Sequence, residues 1–182
     1  MKLSELMKDI ELKPDFTGFV TNDDMVLAIN TGGETVTDEK DFEVLQMGVA
    51  GLDSQMNPIT QDKIYIRAGQ STTKTGDQRT FAVTGDRYVG DPAQDYCLSP
   101  SIKYGAGQSV IIDYVYFNII TGKGEKGQAS IIVNSDGSGN AGENASFDIS
   151  LRKSGSKAVE YTYTASAQQS SPAGGGNKPS SL

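Results

Sequence analysis

Residues 80–120 require a strand, a short helix and a return strand in immediate succession, a layout that few folds accommodate. Phe81 and Val83 alternate with Thr80 and Thr84, which is typical of a strand with one buried face. No stretch of the chain shows the long 3.6-residue periodicity of a helical protein. We therefore expect an all-β body into whose sheet one short helix is inserted.

The helix signal is local and specific. Asp91 can accept hydrogen bonds from free helical N–H groups, and Pro92 suits the first helical position, where no N–H is needed. We predict one helix near Asp91 to Leu98, stopped by Pro100 and the Gly105/Gly107 pair. Cys97 lies within it and is interpreted as a small buried apolar residue; a reactive thiol is the alternative, although the chain has no His to activate it.

The return strand, Ser109 to Ile120, is apolar on both faces and therefore needs cover on both. One face should pack on the body of the domain. The other must meet the predicted helix, a tail of the chain or another subunit. Near the N-terminus the apolar residues are spaced for a short amphipathic helix over 2–10; they are Leu3, Leu6, Met7 and Ile10.

Further strands are predicted over residues 25–30, 42–50, 63–68, 79–84, 128–134 and 144–152, with a last one at 159–163. The strand at 63–68 should pair with 79–84 across a polar segment that has no apolar residue to bury. We expect this segment to project as a hairpin tip; it comprises Gln70, Ser71, Thr72, Thr73, Lys74, Thr75, Gly76, Asp77 and Gln78.

These elements predict a mainly β fold, a β-sandwich or partly closed barrel with one flanking α-helix. Three regions follow from the pattern: an N-terminal arm over 1–24, the β domain over 25–164, and a tail over 165–182. The tail is rich in Ser, Gly, Ala, Gln and Pro, a composition typical of a flexible segment.

Composition argues against an enzyme, a cofactor and a metal site. The chain has no His and a single Cys, so a Ser-His-Asp arrangement and a cysteine-rich zinc cluster are impossible. A calcium-loop pattern that starts at Asp136 fails, because Ala141 and Phe147 stand where Gly and Glu are needed. The glycines of 122–127 do not fit a phosphate-binding loop and are interpreted as a tight turn.

The charge of the chain is −7 and is unevenly distributed. Residues 1–50 hold 4 basic and 11 acidic side chains, whereas the remainder is balanced. No basic stripe for gripping nucleic acid appears, and no apolar run is long enough to span a membrane. An acidic surface is compatible with nucleic acid passing without sticking, although ordinary solubility is an equally simple reason for it.

Two blocks resemble a known family. The segment Gly85-Asp86-Arg87-Tyr88-Val89-Gly90-Asp91-Pro92, followed by Asp95-Tyr96, is similar to the entry into the flanking helix of major tail tube proteins of long-tailed bacteriophages. The strands at 131–137 and 147–152 resemble the last strands of the same family. The resemblance covers roughly residues 25–164.

The resemblance implies a structural subunit without enzymatic activity that forms stacked hexameric rings enclosing a conduit for DNA, with a long loop that reaches the next ring. Expected partners are other copies of the chain, with tape measure, tail terminator and distal tail proteins as further candidates. DNA would pass without specific binding, and no membrane is involved. The expected location is the virion tail, after synthesis in the host bacterial cytoplasm. The alternative is a non-enzymatic extracellular β-sandwich that serves as a binding or adhesion module.

The family's acidic inner wall directs attention to carboxylates within regular strands. The candidates are Asp113, Asp148 and Glu160, each of which interrupts or opposes an apolar face. The alternative is that they face outside solvent or form local salt bridges, such as Asp148 with Lys153 or Arg152. If none lines the channel, the acidic segment Glu34 to Glu43 is the next candidate.

Overall fold

The computed structural model describes residues 1–164, and the tail predicted over 165–182 lies outside them. The described residues form three short α-helices and nine strands. The helices are α1 (Leu3–Leu6), α2 (Pro92–Cys97) and α3 (Pro100–Lys103). The strands are β1 (Met25–Ile29), β2 (Glu43–Val44), β3 (Val49–Gln55), β4 (Pro58–Tyr65), β5 (Gly69–Asp77), β6 (Thr80–Asp86), β7 (Ile111–Asn118), β8 (Lys123–Ser138) and β9 (Ser146–Thr162).

Seven strands form one antiparallel sheet in the order β2-β1-β7-β8-β9-β6-β3, and β4 and β5 form a separate hairpin. The sheet curls, as contacts across its inner face between strands that are not neighbours show. The ring of Phe81 on β6 lies 5.1 Å from that of Tyr114 and 4.9 Å from that of Tyr116, both on β7. The mainly β class is confirmed, and the sheet does not close into a barrel.

The inner face of the curled sheet encloses the main core, which α2 and α3 cover at one side. Phe81, Tyr114 and Ile149 from three strands are fully buried here, and Cys97 and Ile102 reach in from the helices. Burial raises the pKa of the Cys97 thiol to about 12, so the interpretation of this cysteine as a buried apolar residue is confirmed.

The helix predicted at Asp91 is confirmed, since the Asp91 carboxylate accepts a hydrogen bond from the Gln94 N–H at 3.0 Å. α2 ends before Pro100 and α3 ends before Gly105, as predicted, but Pro100 does not itself stop helical structure. Pro100 instead occupies the first turn of α3, which follows after a break of two residues. A proline is compatible with either role, because its missing N–H matters only inside a helix.

A second apolar cluster covers the opposite face of β1 and β7. Val115 and Phe117 of β7 are fully buried there, beneath Leu3 and Met7 from the N-terminal segment and Phe42. The cover that the two-faced strand requires is therefore supplied by the chain's own N-terminus. The helix itself is shorter than predicted over 2–10, although all four apolar residues of the predicted pattern pack on this cluster.

The strand predicted over 42–50 is wrong, because the chain turns sharply within it. Gly48 adopts φ 68°, and a Cβ at this position would lie 2.4 Å from the backbone oxygen of Asp86. The turn separates β2 from β3, which then take the two opposite edges of the sheet. Residues 51–62, for which no strand was predicted, contain most of β3 and the start of β4.

Strand β9 changes the face it presents halfway along. Ser154 opposes Gln128, but the next neighbour of β8, Lys126, opposes Val159, so β9 carries extra residues around Gly155, which has φ 67°. Before this bulge Phe147, Ile149 and Leu151 point into the main core; after it Tyr161 and Tyr163 pack on the second cluster. One continuous strand thus supplies both cores.

Candidate functional site

Residues 1–164 offer no candidate metal site. Those residues contain no group of three or more His, Cys, Asp or Glu side chains that could hold a metal ion. The Cys97 thiol is buried, and none of the described helices is long and apolar enough to span a membrane. The features that call for a functional explanation are surfaces: a free hairpin, an open sheet face with two unpaired edges, and one groove.

The hairpin formed by β4 and β5 stands away from the body. Every residue of β4 is exposed, and so are the first seven residues of β5. Among the described residues, its hydrogen bonds to the rest of the chain occur only at its base. Because a two-stranded hairpin is marginally stable alone in water, an arm of this length needs a partner.

The turn of this hairpin lies at residues 66–68 and not within the polar segment predicted as its tip. Gln70 to Asp77 lies on β5, the returning strand, and the pairing of 63–68 with 79–84 is wrong. Instead β4 pairs with β5, while β6 pairs with β3 and β9. The polar segment is rich in Thr, whose branched side chain favours strands, and this outweighs its lack of apolar residues.

The base of the hairpin is fastened to β9. The Lys153 Nζ lies 2.9 Å from the Asp77 Oδ1, and the side-chain amide of Gln78 donates to the backbone oxygen of Lys153 at 3.1 Å. Asn57, with φ 41°, donates from its side chain to the Gln78 carbonyl at 3.1 Å. The hydrogen bond from Lys153 holds the pKa of the Asp77 carboxyl below its ordinary value. These bonds set the direction of the arm.

An open polar face lies on the outer side of β3, β6 and the facing halves of β8 and β9. In the cross-strand rows Asp53 lies beside Ala82 and Ser150, and Thr84 lies beside Asp148. Asp53, Thr84, Asn134 and Arg152 are exposed on it. Its outward positions are mostly Ser, Thr, Asp, Gly and Ala, short side chains that leave a flat surface.

This polar face ends in two unpaired edges. β3 pairs only with β6, and no strand lies along its other edge among the described residues, although the Asn22 side-chain amide donates to the Leu52 carbonyl at 3.1 Å. β8 pairs with β7 up to Ser130, whereas its second half, from Ile131 onward, has only β9 as a strand neighbour among the described residues, and Lys103 of α3 pairs with Asp136 there. Each edge presents backbone N–H and C=O groups able to pair with a further strand.

The three carboxylates predicted to line a channel do not share one face. Asp148 lies on the polar face, where its carboxylate accepts a hydrogen bond from Asn134 at 3.0 Å. Asp113 is exposed on β7 beside the second cluster, and Glu160 opposes Glu125 on the inward side of β9. A salt bridge of Asp148 with Lys153 is wrong, because Lys153 pairs with Asp77.

Sequence reasoning missed a buried charged pair at the end of the main core. The Arg79 guanidinium Nε lies 2.7 Å from the Glu125 carboxylate and packs 4.4 Å above the Phe81 ring. The Tyr114 hydroxyl donates to the same carboxylate at 3.2 Å, and burial raises the pKa of this tyrosine. Nothing local marks such a pair, because Arg79 directly precedes β6, whereas Glu125 lies far along the chain on β8.

A groove of about 760 Å³ lies between the acidic segment at 33–42 and the strands β7, β8 and β9. Val36 and Val159 supply apolar surface, whereas the lining residue Phe42 is buried. Glu34 and Asp113 are also lining residues. The acidic segment Glu34 to Glu43 thus lies beside the second cluster, away from the polar face formed by β3 and β6.

Comparison with solved structures identifies the architecture. The chain matches one in the tail of an empty gene transfer agent particle refined with C6 symmetry, at TM-score 0.52 and 14% identity over 80% of this chain and 100% of that chain. A chain of the native gene transfer agent virion matches at 0.54 and 13% identity, with coverage of 80% and 100%. A chain of the tube-terminating cap of the anti-feeding prophage matches at 0.51 and 10%, covering 83% and 96%.

This chain has the fold of a phage-like tail tube protein. Identities this low establish the fold alone. The sequence matches no protein-family profile and has no significant match among curated proteins.

Within the tail tube fold, the segment at 85–96 has a structural task. Gln94 is fully buried; its side-chain oxygen accepts from the Tyr88 N–H at 2.9 Å, and its amide donates to the Met47 carbonyl. Arg87 pairs with Asp95. These bonds fix α2 against the turn at 46–48, so the motif that resembles the tail tube family positions a helix and carries no chemistry.

Proposed function

We propose that this chain is the structural subunit of a tail tube in a phage or phage-derived particle, and that it assembles into stacked hexameric rings that enclose a conduit for DNA. The observation that carries the proposal is the polar four-stranded face bounded by two unpaired edges. Pairing β3 of one copy with the second half of β8 of the next would continue the sheet from subunit to subunit and leave neither edge of the polar face exposed.

Two different edges meeting head to tail form a ring if the rotation between copies closes. The C6 symmetry of the gene transfer agent tail, which contains a chain of this fold, supports six copies in that ring. The ring's inner wall would then be a continuous sheet, the arrangement by which barrels satisfy all of their edge groups.

The polar face is the proposed wall of the channel. Its charged side chains are Asp53, Asp86, Asp148 and Arg152, so negative charge is in excess. Carboxylates repel the phosphates of passing DNA, whereas a basic wall would bind them. Of the three residues predicted from the sequence, Asp148 fits this wall, whereas Asp113 and Glu160 lie off the polar face.

The hairpin is proposed to join successive rings. β4 contains 8 residues, and at about 3.3 Å per residue such a strand extends roughly 26 Å. An exposed arm of that length, fastened only at its base, can reach a copy outside its own ring. The polar strand from Gln70 to Gln78 forms one side of this arm and orders with it on assembly.

The site of action is the particle tail, and the partners are other copies of the chain together with the remaining tail proteins. Negative-stain electron microscopy of the purified protein over rising concentration tests the proposal. Rings or hollow rods are the expected result. Dispersed single subunits at every concentration, under low and high salt alike, contradict it.

A further inference from the structure

The hairpin ends in an apolar and basic tip for which its own subunit offers no contact. Ile64 and Ile66 are 85% and 93% exposed, and Tyr65 between them is 52% exposed. Lys63 and Arg67 flank these residues, and neither has an ion-pair partner among the described residues. Isoleucines exposed at the end of an arm mark a surface that is buried in a complex.

The groove beside the second cluster has the matching character. Val36 and Val159 give it apolar surface, and Val159 is 55% exposed although it lies in a strand. Its volume of about 760 Å³ lies within the roughly 300–1,000 Å³ range typical of sites that enclose a ligand. It can therefore receive several side chains.

The charges around the groove complement those of the tip. Glu34 and Asp113 line it without an ion-pair partner in residues 1–164. Of its two lysines, Lys126 is already paired with Glu39, and Lys157 remains as an opposing charge. Carboxylates beside an apolar floor suit a tip that presents Ile64 and Ile66 between Lys63 and Arg67.

We propose that the hairpin tip of one copy, residues 63–67, docks into this groove on a copy in the adjacent ring. The inference rests on the proposed stacking of rings and adds the receptor surface for the arm. Ile64 and Ile66 pack against Val36 and Val159, while Lys63 and Arg67 approach Glu34 and Asp113. Asp113 thereby becomes a residue of the contact between rings.

Disulfide trapping between two singly substituted chains tests this contact. The native Cys97 is buried and its thiol pKa is raised, so it does not compete. Chains carrying Ile66→Cys are co-assembled with chains carrying Glu34→Cys, and the tubes are oxidised and analysed on a non-reducing gel. The matched control replaces Glu34→Cys by Ala141→Cys, an exposed position in the β8–β9 turn, ten or more residues along β8 from the groove.

Covalent dimers severalfold above the Ala141→Cys control support the docking. Tubes that form normally but cross-link equally with both positions, or with Ala141→Cys alone, overturn the docking and leave the proposed function intact. Failure of the wild-type chain to form rings or tubes under any condition overturns the proposed function and the docking with it.

A charge-reversal pair provides a second readout. Lys63→Glu with Arg67→Glu should raise the concentration needed for tube formation severalfold. Adding Glu34→Lys with Asp113→Lys in the same chain should restore the wild-type concentration, because the tip is then acidic, the groove is basic and the two attract again. Loss without restoration overturns the pairing of these charges. The control reverses Asp9 and Glu11, exposed residues outside the groove, which should not restore assembly.

Discussion

Lys153 of β9 and Asp77 at the base of the hairpin are joined by a salt bridge of 2.9 Å. Lys153 directly precedes the bulge at which β9 passes from the main core to the second cluster. The residue that fastens the arm therefore lies where the curled sheet changes face. The direction of the arm is tied to the geometry of the body, which is what a spacer between rings requires.

We expect Asp77→Asn to loosen the arm without unfolding the subunit. Because the ion pair to Lys153 is lost, hydrogen exchange in residues 58–77 should accelerate. The Gln78 and Asn57 hydrogen bonds remain in place, and surface ion pairs contribute little to stability, so the melting temperature should stay within about 2 °C. The control is Asp62→Asn, an exposed carboxylate of β4. Equal exchange rates in the two variants would show that the salt bridge does not hold the arm.

The same salt bridge predicts a pH dependence. Because the folded-state pKa of Asp77 lies below its ordinary value of 3.8, the contribution of the ionised carboxylate is fully present above that value and disappears as the pH falls through the folded pKa. Wild-type exchange in the hairpin should approach that of Asp77→Asn only at such acid pH. A transition near neutral pH would contradict this assignment.

Leu3→Ala should destabilise the subunit markedly. Leu3 is fully buried over the second face of β7, and truncating a buried leucine costs about 2–5 kcal/mol because a cavity remains. Urea denaturation measures the free energy of unfolding, with the exposed Lys8→Ala as control. A loss below about 0.5 kcal/mol, the range of ordinary surface substitutions, would show that the N-terminal segment does not cover this face.

Gly48→Ala should also destabilise, through the backbone. Gly48 has φ 68°, and a Cβ there would meet the Asp86 oxygen at 2.4 Å, so a loss above about 1 kcal/mol is expected. Gly137→Ala is the matched control, because no atom lies within 4 Å of its added Cβ. Equal free energies of unfolding for the two variants would contradict the tight turn between β2 and β3.

The parts of this fold that depend on neighbouring residues could be predicted from the sequence, whereas the parts that depend on contacts between distant segments could not. The start of α2 depends on Asp91 and Pro92, neighbours in the chain, and was predicted correctly. The face reversal of β9 depends on a bulge near Gly155 whose presence the alternation of Phe147 to Tyr163 conceals. The apolar residues before and after the bulge are all odd-numbered, yet those before it enter the main core and those after it enter the second cluster.

The hairpin was misread for a related reason. Ile64 and Ile66 alternate with polar residues as they would in a strand with one buried face, so the sequence indicates burial within the body. Their exposure in the single subunit is understandable if burial comes only with another copy. In a single sequence, an alternation of apolar and polar residues looks the same whether the apolar side chains are buried in the core of the subunit or in a contact with another copy.

The proposed channel wall predicts how DNA responds to charge reversal. Tubes in which Asp53, Asp86 and Asp148 are replaced by Lys should retain short duplex DNA at low salt and release it as salt rises, because phosphate contacts are weakened by screening. Wild-type tubes should retain none. The control replaces Asp9, Glu11 and Asp15, which changes the charge equally outside the polar face; equal retention by that control would contradict the assignment of the wall.

A cryo-electron microscopy reconstruction of the assembled protein tests the central claim most directly. We expect a hollow tube of stacked sixfold rings in which β3 of each subunit lies against the second half of β8 of its neighbour, with Asp148 facing the channel. Single subunits at all concentrations, or a tube whose channel is lined by the second cluster instead of the polar face, would contradict the account.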